Sequence, residues 1–297
     1  MPRQLTLAKL TQPKLFGVAG RSRLHVQLDK ERANHPVIWI VGPPGAGKTT
    51  FVASYLDARE LPAIWYQVDS GDADLATFFY YMGLAGRIAA KRKRLLLPLL
   101  TPEYLSDLPG FTRRFFRKLF STVSESSILV LDNYQEVTPE SVFHTVIDVI
   151  ISELPPGHSL IAISRTDPPP QLARALANNL IGQVNWNDLR LTLDETKAIV
   201  AATGILESTE ETLKLLQEQT NGWIAGLVLM MERFKETGAV NHISQPETMG
   251  IVFNYFAGQV FEQLPLEMRE FLMRTAILSH MTVKSATEMG KSSRAKE

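Results

Sequence analysis

Nine consecutive residues, Gly42-Pro43-Pro44-Gly45-Ala46-Gly47-Lys48-Thr49-Thr50, have the types and spacing to hold a chain of phosphates. Glycines let successive backbone N–H groups curl into an anion-binding concavity. A helix starting behind them adds unpaired amides and about half a positive charge. Lys48 is spaced to reach the β and γ phosphates, and the Thr49 hydroxyl to ligate a magnesium ion. The bland alternative is a Gly/Pro turn before a helix with an incidental lysine. Both flanks argue against it. Pro36 to Val41 is an apolar run of strand type, and Phe51 to Leu56 reads as a helix.

Two further positions complete a candidate site. Ser127-Ile128-Leu129-Val130-Leu131-Asp132 is a short β-rich run ending in a carboxylate, the Walker B pattern. Strands buried on both faces of a parallel sheet read as continuous hydrophobics. An acid at such a strand's C-terminal end lies where open α/β sheets bind ligands. Asp132 is therefore expected to hold magnesium with Thr49, directly or through water. Ser159-Leu160-Ile161-Ala162-Ile163-Ser164-Arg165 is a second such strand, ending in a guanidinium. A planar, permanently charged fork at Arg165 suits a γ phosphate. Pairing with a nearby acid is the structural alternative.

The elements that must position these groups follow from the pattern. Residues 1–35 read as an extended arm and one short helix. Arg21 and Arg23 in that arm read equally well as neighbours of a bound base and as solvated surface. Pro62 to Asp69 is a buried strand, with Asp72 or Asp74 capping the next helix. Lys91-Arg92-Lys93-Arg94 reads as a solvated turn ahead of a nucleic-acid contact. Phe111, Phe115, Phe116, Leu119 and Phe120 share one face of a helix whose other face is basic. A helix is expected over about 138–152, and a fifth strand at Ile181-Gly182-Gln183-Val184. Beyond Asp188 the pattern becomes helical, over 193–202, 208–219, 223–234, 249–263 and 265–276. The expected fold is α/β, a P-loop three-layer parallel sheet followed by a helical domain and the start of a winged-helix domain. The expected divisions are 1–35, 36–188, 189–263 and 264–297.

Composition sets the bounds. The 297 residues are 45% hydrophobic and 21% charged, which predicts a packed core. Lys plus Arg equals Asp plus Glu at 31 each, so no strong basic field for nucleic acid is present. With no cysteine, disulfides and thiol chemistry are excluded. No run approaches the ~20 apolar residues of a membrane span, and Met1 to Thr6 lacks a signal-peptide core. A cytoplasmic location and no membrane partner are expected. The polar tail reads as a truncation scar or a linker.

Taken in order, these motifs resemble a family. To the phosphate loop, Leu129 to Tyr134 and Ser164 to Pro169 are added Asp188-Leu189-Arg190-Leu191-Thr192 and Thr220-Asn221-Gly222-Trp223-Ile224-Ala225-Gly226-Leu227. Leu264-Pro265 and Arg274 to Leu278 follow. Together they are similar to the N-terminal ATPase module of MalT-like, large LuxR-type bacterial transcription regulators, STAND-class NTPases related to NB-ARC switches. The resemblance implies that the Arg165 strand lies between the phosphate-loop and Asp132 strands. It implies ATP or ADP with Mg2+ as ligands, a helical domain closing over the nucleotide, and Trp223 on the base or ribose side. A buried tryptophan at a helix start is the plain alternative. The resemblance further implies assembly in the ATP state, an inducer, and DNA binding through a helix-turn-helix that these residues lack.

One departure bears on turnover. The family often carries a second acid after the magnesium aspartate, and here it is Asn133. An amide can orient water but cannot take its proton. The expected function is an ATP/ADP switch that hydrolyses slowly. The alternatives are a P-loop kinase acting on a small substrate and a nucleotide-binding interaction module that never hydrolyses.

Overall fold

The computed structural model describes residues 7–15, 19–90, 97–203, 209–237, 261 and 264–276. Five strands form one sheet: β1 Val37–Val41, β2 Ala63–Gln67, β3 Ile128–Asp132, β4 Ser159–Ser164 and β5 Ile181–Val184. Their order is β2-β3-β4-β1-β5, and every pairing is parallel. The expected α/β P-loop sheet is therefore present, with β4 between β1 and β3. Register puts Val41 opposite Ser164, and Leu131 opposite Ala162. The C-terminal ends of β1, β3 and β4 thus open onto one edge, where such sheets bind ligands.

Strand alternation explains the layers. Trp39, Leu129, Leu131, Leu160 and Ala162 face one core. That core is filled by α3 (Leu75–Ala89), α4 (Leu108–Phe120) and α5 (Phe143–Ser152). Ile38, Ile40, Val130, Ile161 and Ile163 face the other. There they meet Leu24 and Leu28 of α1 (Ser22–Asn34), and Phe51, Val52, Tyr55 and Leu56 of α2 (Lys48–Ala58).

Caps fix where the helices begin. Asp74 accepts the amides of Ala76 and Thr77 and starts α3. Asp72 is instead fully buried, holding the Tyr66 hydroxyl at 2.6 Å and the Lys9 ammonium at 2.8 Å. Lys9 lies in a turn, Ala8–Leu10, packed on edge strand β2, with Leu10 in the core. Covering an edge strand removes a template for unwanted pairing. α5 starts at Phe143, five residues later than its apolar spacing suggests. Thr138 to Ser141 closes a turn, and the Ser141 hydroxyl accepts the Phe143 amide at 3.2 Å. Serine competes for backbone groups in this way and delays helices.

After β5 come α6's successors in the chain. α6 itself is Ala173–Ala177, between β4 and β5, and α7 (Trp186–Leu189), α8 (Leu193–Thr203), α9 (Glu210–Thr220) and α10 (Ile224–Thr237) follow. The chain divides into two compact units, 1–225 and 226–297. The 188/189 division, expected where the pattern turns helical, falls inside the first unit. In the second, the helix Leu266–Thr275 carries an Arg274–Glu270 pair one turn apart at 3.4 Å. The Lys91 to Arg94 run, nearly all of the helix expected over 249–263, and residues 277–297 with most of the expected winged helix lie outside the described residues.

Candidate phosphate-binding site

β1 hands the chain to the loop at Gly42, whose N–H donates to the Ser164 carbonyl at 3.4 Å. The loop then bends twice through the left-handed region, at Gly45 (φ 70°) and Gly47 (φ 77°). A side chain at Gly47 would be strained and would also meet the Ile224 Cδ1 atom, 2.6 Å from where its Cβ would sit. α2 starts at Lys48, and its first turn has amides with no acceptor inside the helix. Gly42 through Thr50 thus take the strand, loop and helix arrangement their spacing predicts.

Lys48 folds back over the loop. Its Nζ donates to the Gly42 carbonyl at 2.5 Å and to the Pro43 carbonyl at 3.0 Å. Burial lowers its pKa to about 8, the Arg165 charge adds to that, and Asp132 opposes it. Arg165 follows β4 directly, so two cations converge on this edge with Asp132 as the nearby anion. Asp132 is buried at the end of β3. Its Oδ1 accepts the Thr49 hydroxyl at 3.0 Å and the Asn133 amide at 3.0 Å. Burial raises its pKa, against the pull of Thr49, Asn133 and Lys48. Asn133 takes a left-handed conformation, φ 59°, which asparagine tolerates better than most residues.

The donor set at Thr49 and Asp132 fits a divalent cation. Among the described residues no group of three or more His, Asp or Glu could hold a metal unaided. Magnesium commonly takes only one or two protein ligands beside phosphate oxygens and water, so none is required.

Gln135 was given no part by the sequence. Its Oε1 accepts the Arg165 amide at 3.0 Å, tying the turn after β3 to the end of β4. Its Nε2 donates to the exposed Glu136 at 3.0 Å. No local pattern marks such a contact, because it depends on β3 and β4 being neighbours.

Two residues expected near a nucleotide make other contacts. One Arg21 Nη atom donates to the carbonyls of Leu189 and Arg190, at 2.7 and 3.2 Å, and to Glu195 at 3.2 Å. Burial lowers its pKa, and Glu195 opposes the shift. The Trp223 indole N–H donates to the Pro44 carbonyl at 2.9 Å, and the Ala225 amide to the Gly45 carbonyl at 3.1 Å.

No protein-family model matches the chain. It is similar to the HTH-type transcriptional regulator MalT of Serratia proteamaculans, 24% identical over 280 residues. To the MalT of Vibrio campbellii it is 25% identical over 288 residues. Each match takes in 92% of this chain and 30% of the relative, so the chain spans about a third of the length of the curated relatives it matches. Among solved structures, a Walker-type ATPase of Pyrococcus abyssi superposes with a TM-score of 0.56 at 13% identity, over 88% of this chain and 80% of that one. The ORC1 protein of Aeropyrum pernix, solved in complex with DNA, gives 0.50 at 14% identity, over 94% and 78%. The chain is MalT-like, on a P-loop fold. The family resemblance carried by the motifs thus extends through most of this MalT-like chain. No described helix is long and apolar enough to cross a membrane.

Proposed function

We propose that this chain binds ADP and ATP with Mg2+ and serves as a slowly hydrolysing switch module of a bacterial transcription regulator. The observation that carries the reading is the meeting of Lys48, Thr49 and Asp132 at one sheet edge, with the Thr49 hydroxyl 3.0 Å from the carboxylate. MalT similarity along the chain supports the regulator context.

In this reading the loop amides and the α2 N-terminus hold the phosphate oxygens, and Lys48 turns from the Gly42 and Pro43 carbonyls to the β and γ phosphates. Thr49 and Asp132 would hold Mg2+, which supplies positive charge against the phosphates. Arg165 senses the γ phosphate from β4. The γ phosphate shifts the balance of states only by contacting them differently. One charge-assisted contact supplies about 1.5–3 kcal/mol, while a full shift needs about 5.5 kcal/mol, so several contacts act together. Asn133 can orient water but not deprotonate it, which keeps hydrolysis slow. In this reading, DNA recognition, response to an inducer and assembly in the ATP state are functions of a longer regulator of the kind this chain resembles.

The test is calorimetric titration of ADP and ATP. Lys48→Ala is expected to weaken both strongly. Unchanged affinities would remove the phosphate-loop assignment. The pH profile gives a second readout. Phosphate favours charged Lys48, and in the free protein that charge begins to be lost near pH 8. Affinity should therefore hold below pH 8 and be about tenfold weaker at pH 9 than at pH 7. In Lys48→Ala this dependence should vanish.

A further inference from the structure

Trp223 and Ala225 touch the phosphate loop from outside, through its carbonyls. The indole N–H holds the Pro44 carbonyl at 2.9 Å, and the Ala225 amide holds the Gly45 carbonyl at 3.1 Å. The Ile224 Cδ1 atom packs beside Gly47, 2.6 Å from where a Cβ would sit. The segment bearing these three residues is itself anchored. Gly222, at φ 73°, accepts the Leu191 amide at its carbonyl at 2.9 Å, and the Trp223 amide donates to the Thr220 carbonyl at 2.9 Å.

A trans peptide points its C=O and N–H in opposite directions. A donor gripping the Pro44 carbonyl therefore sets the Gly45 N–H toward the opposite side of the loop. In a Gly-rich turn before a helix, that side is the one an anion occupies. Glycine-rich loops flip peptides easily, since glycine populates positive and negative φ alike. Two external hydrogen bonds on successive peptides limit that freedom.

We propose that Trp223 is a positioning residue for the phosphate loop, gripping the Pro44 carbonyl so that the loop amides stay turned toward the anion. This rests on the phosphate-loop reading but departs from the base or ribose contact expected for Trp223. The recognised ligand chemistry is polyphosphate, with or without a nucleoside.

Trp223→Phe removes the N–H and keeps a ring. Wild type and variant would be titrated with ADP, inorganic pyrophosphate and adenosine, and their nucleotide-free melting compared. Wild type is expected to bind ADP and pyrophosphate. The variant should melt within a degree or two of wild type and bind both about three- to tenfold more weakly, the worth of one hydrogen bond. Adenosine binding should not change. Equal loss for ADP and adenosine, with pyrophosphate unaffected, would make Trp223 a base or ribose contact and overturn the proposal. Unchanged ADP and pyrophosphate affinities would overturn it too, leaving the phosphate-loop reading intact. Wild type that binds neither ADP nor pyrophosphate would overturn both. If the variant melts far below wild type, Trp223 holds the fold and not the loop, and the proposal fails.

Discussion

Asp132 sits where two demands meet. Burial pushes its carboxyl toward the neutral form, yet a bound cation needs it ionised. Asp132→Asn keeps an oxygen for the Thr49 hydroxyl and removes the charge. The expected result is that ATP affinity in excess Mg2+ falls to the level measured in EDTA, with little change in the nucleotide-free melting point. Retained magnesium dependence would place the cation elsewhere. That Lys48, Thr49 and Asp132 come together was legible because each belongs to a local pattern whose spacing is set by one loop or one strand end. Gln135 was not, because its partner, the Arg165 amide, is thirty residues away and adjacent only through sheet order. Arg21 shows the same limit from the other side. Its type was compatible with a base neighbour or with solvated surface, and its buried place at the start of α1 gives it the carbonyls of Leu189 and Arg190.

At the level of the element, α4 shows pattern and structure agreeing most closely. Phe111, Phe115, Phe116, Leu119 and Phe120 are all buried, while Arg113 and Arg117 reach Glu153 at 3.5 and 2.6 Å. Phe116→Ala should cost about 3–5 kcal/mol by chemical denaturation, the usual loss for a large ring deleted from a packed core. Removing the exposed Arg117 side chain should leave the denaturation midpoint nearly unchanged, because solvent screens the pair. Strand positions were equally legible, because parallel strands buried on both faces read as unbroken apolar runs. Helix starts were less so. The α5 start slipped because the Ser141 side chain and a turn at Thr138 took amides that periodicity assigned to a helix. Strand order was not written in any run. It came from the family resemblance, and the structure has it.

At the scale of the molecule, burial disfavours the charged form of three histidines among the described residues. His25, His144 and His158 each have a pKa lowered chiefly by burial, against Asp29, Glu140 and Glu125 respectively, which raise it. His144 receives the Tyr134 hydroxyl at 2.9 Å and faces the Thr138 carbonyl at 2.8 Å, a pairing that suits one proton on the ring. A folded pKa below the unfolded value means the unfolded chain binds more protons near pH 6.5. Stability from these groups is then complete above about pH 7 and declines as pH falls through 6. The urea midpoint should be lower at pH 5.5 than at pH 7.5. A flat profile would mean these rings are protonated without cost.

The tryptophans have a practical consequence. Trp39 and Trp65 are sealed in the sheet, whereas Trp186 and Trp223 are only partly covered, and of these two Trp223 donates to the loop. Indole emission responds to the polarity around the ring. The chain therefore carries its own optical gauge of whether that loop is filled, needing no label, and Trp223→Phe supplies its blank.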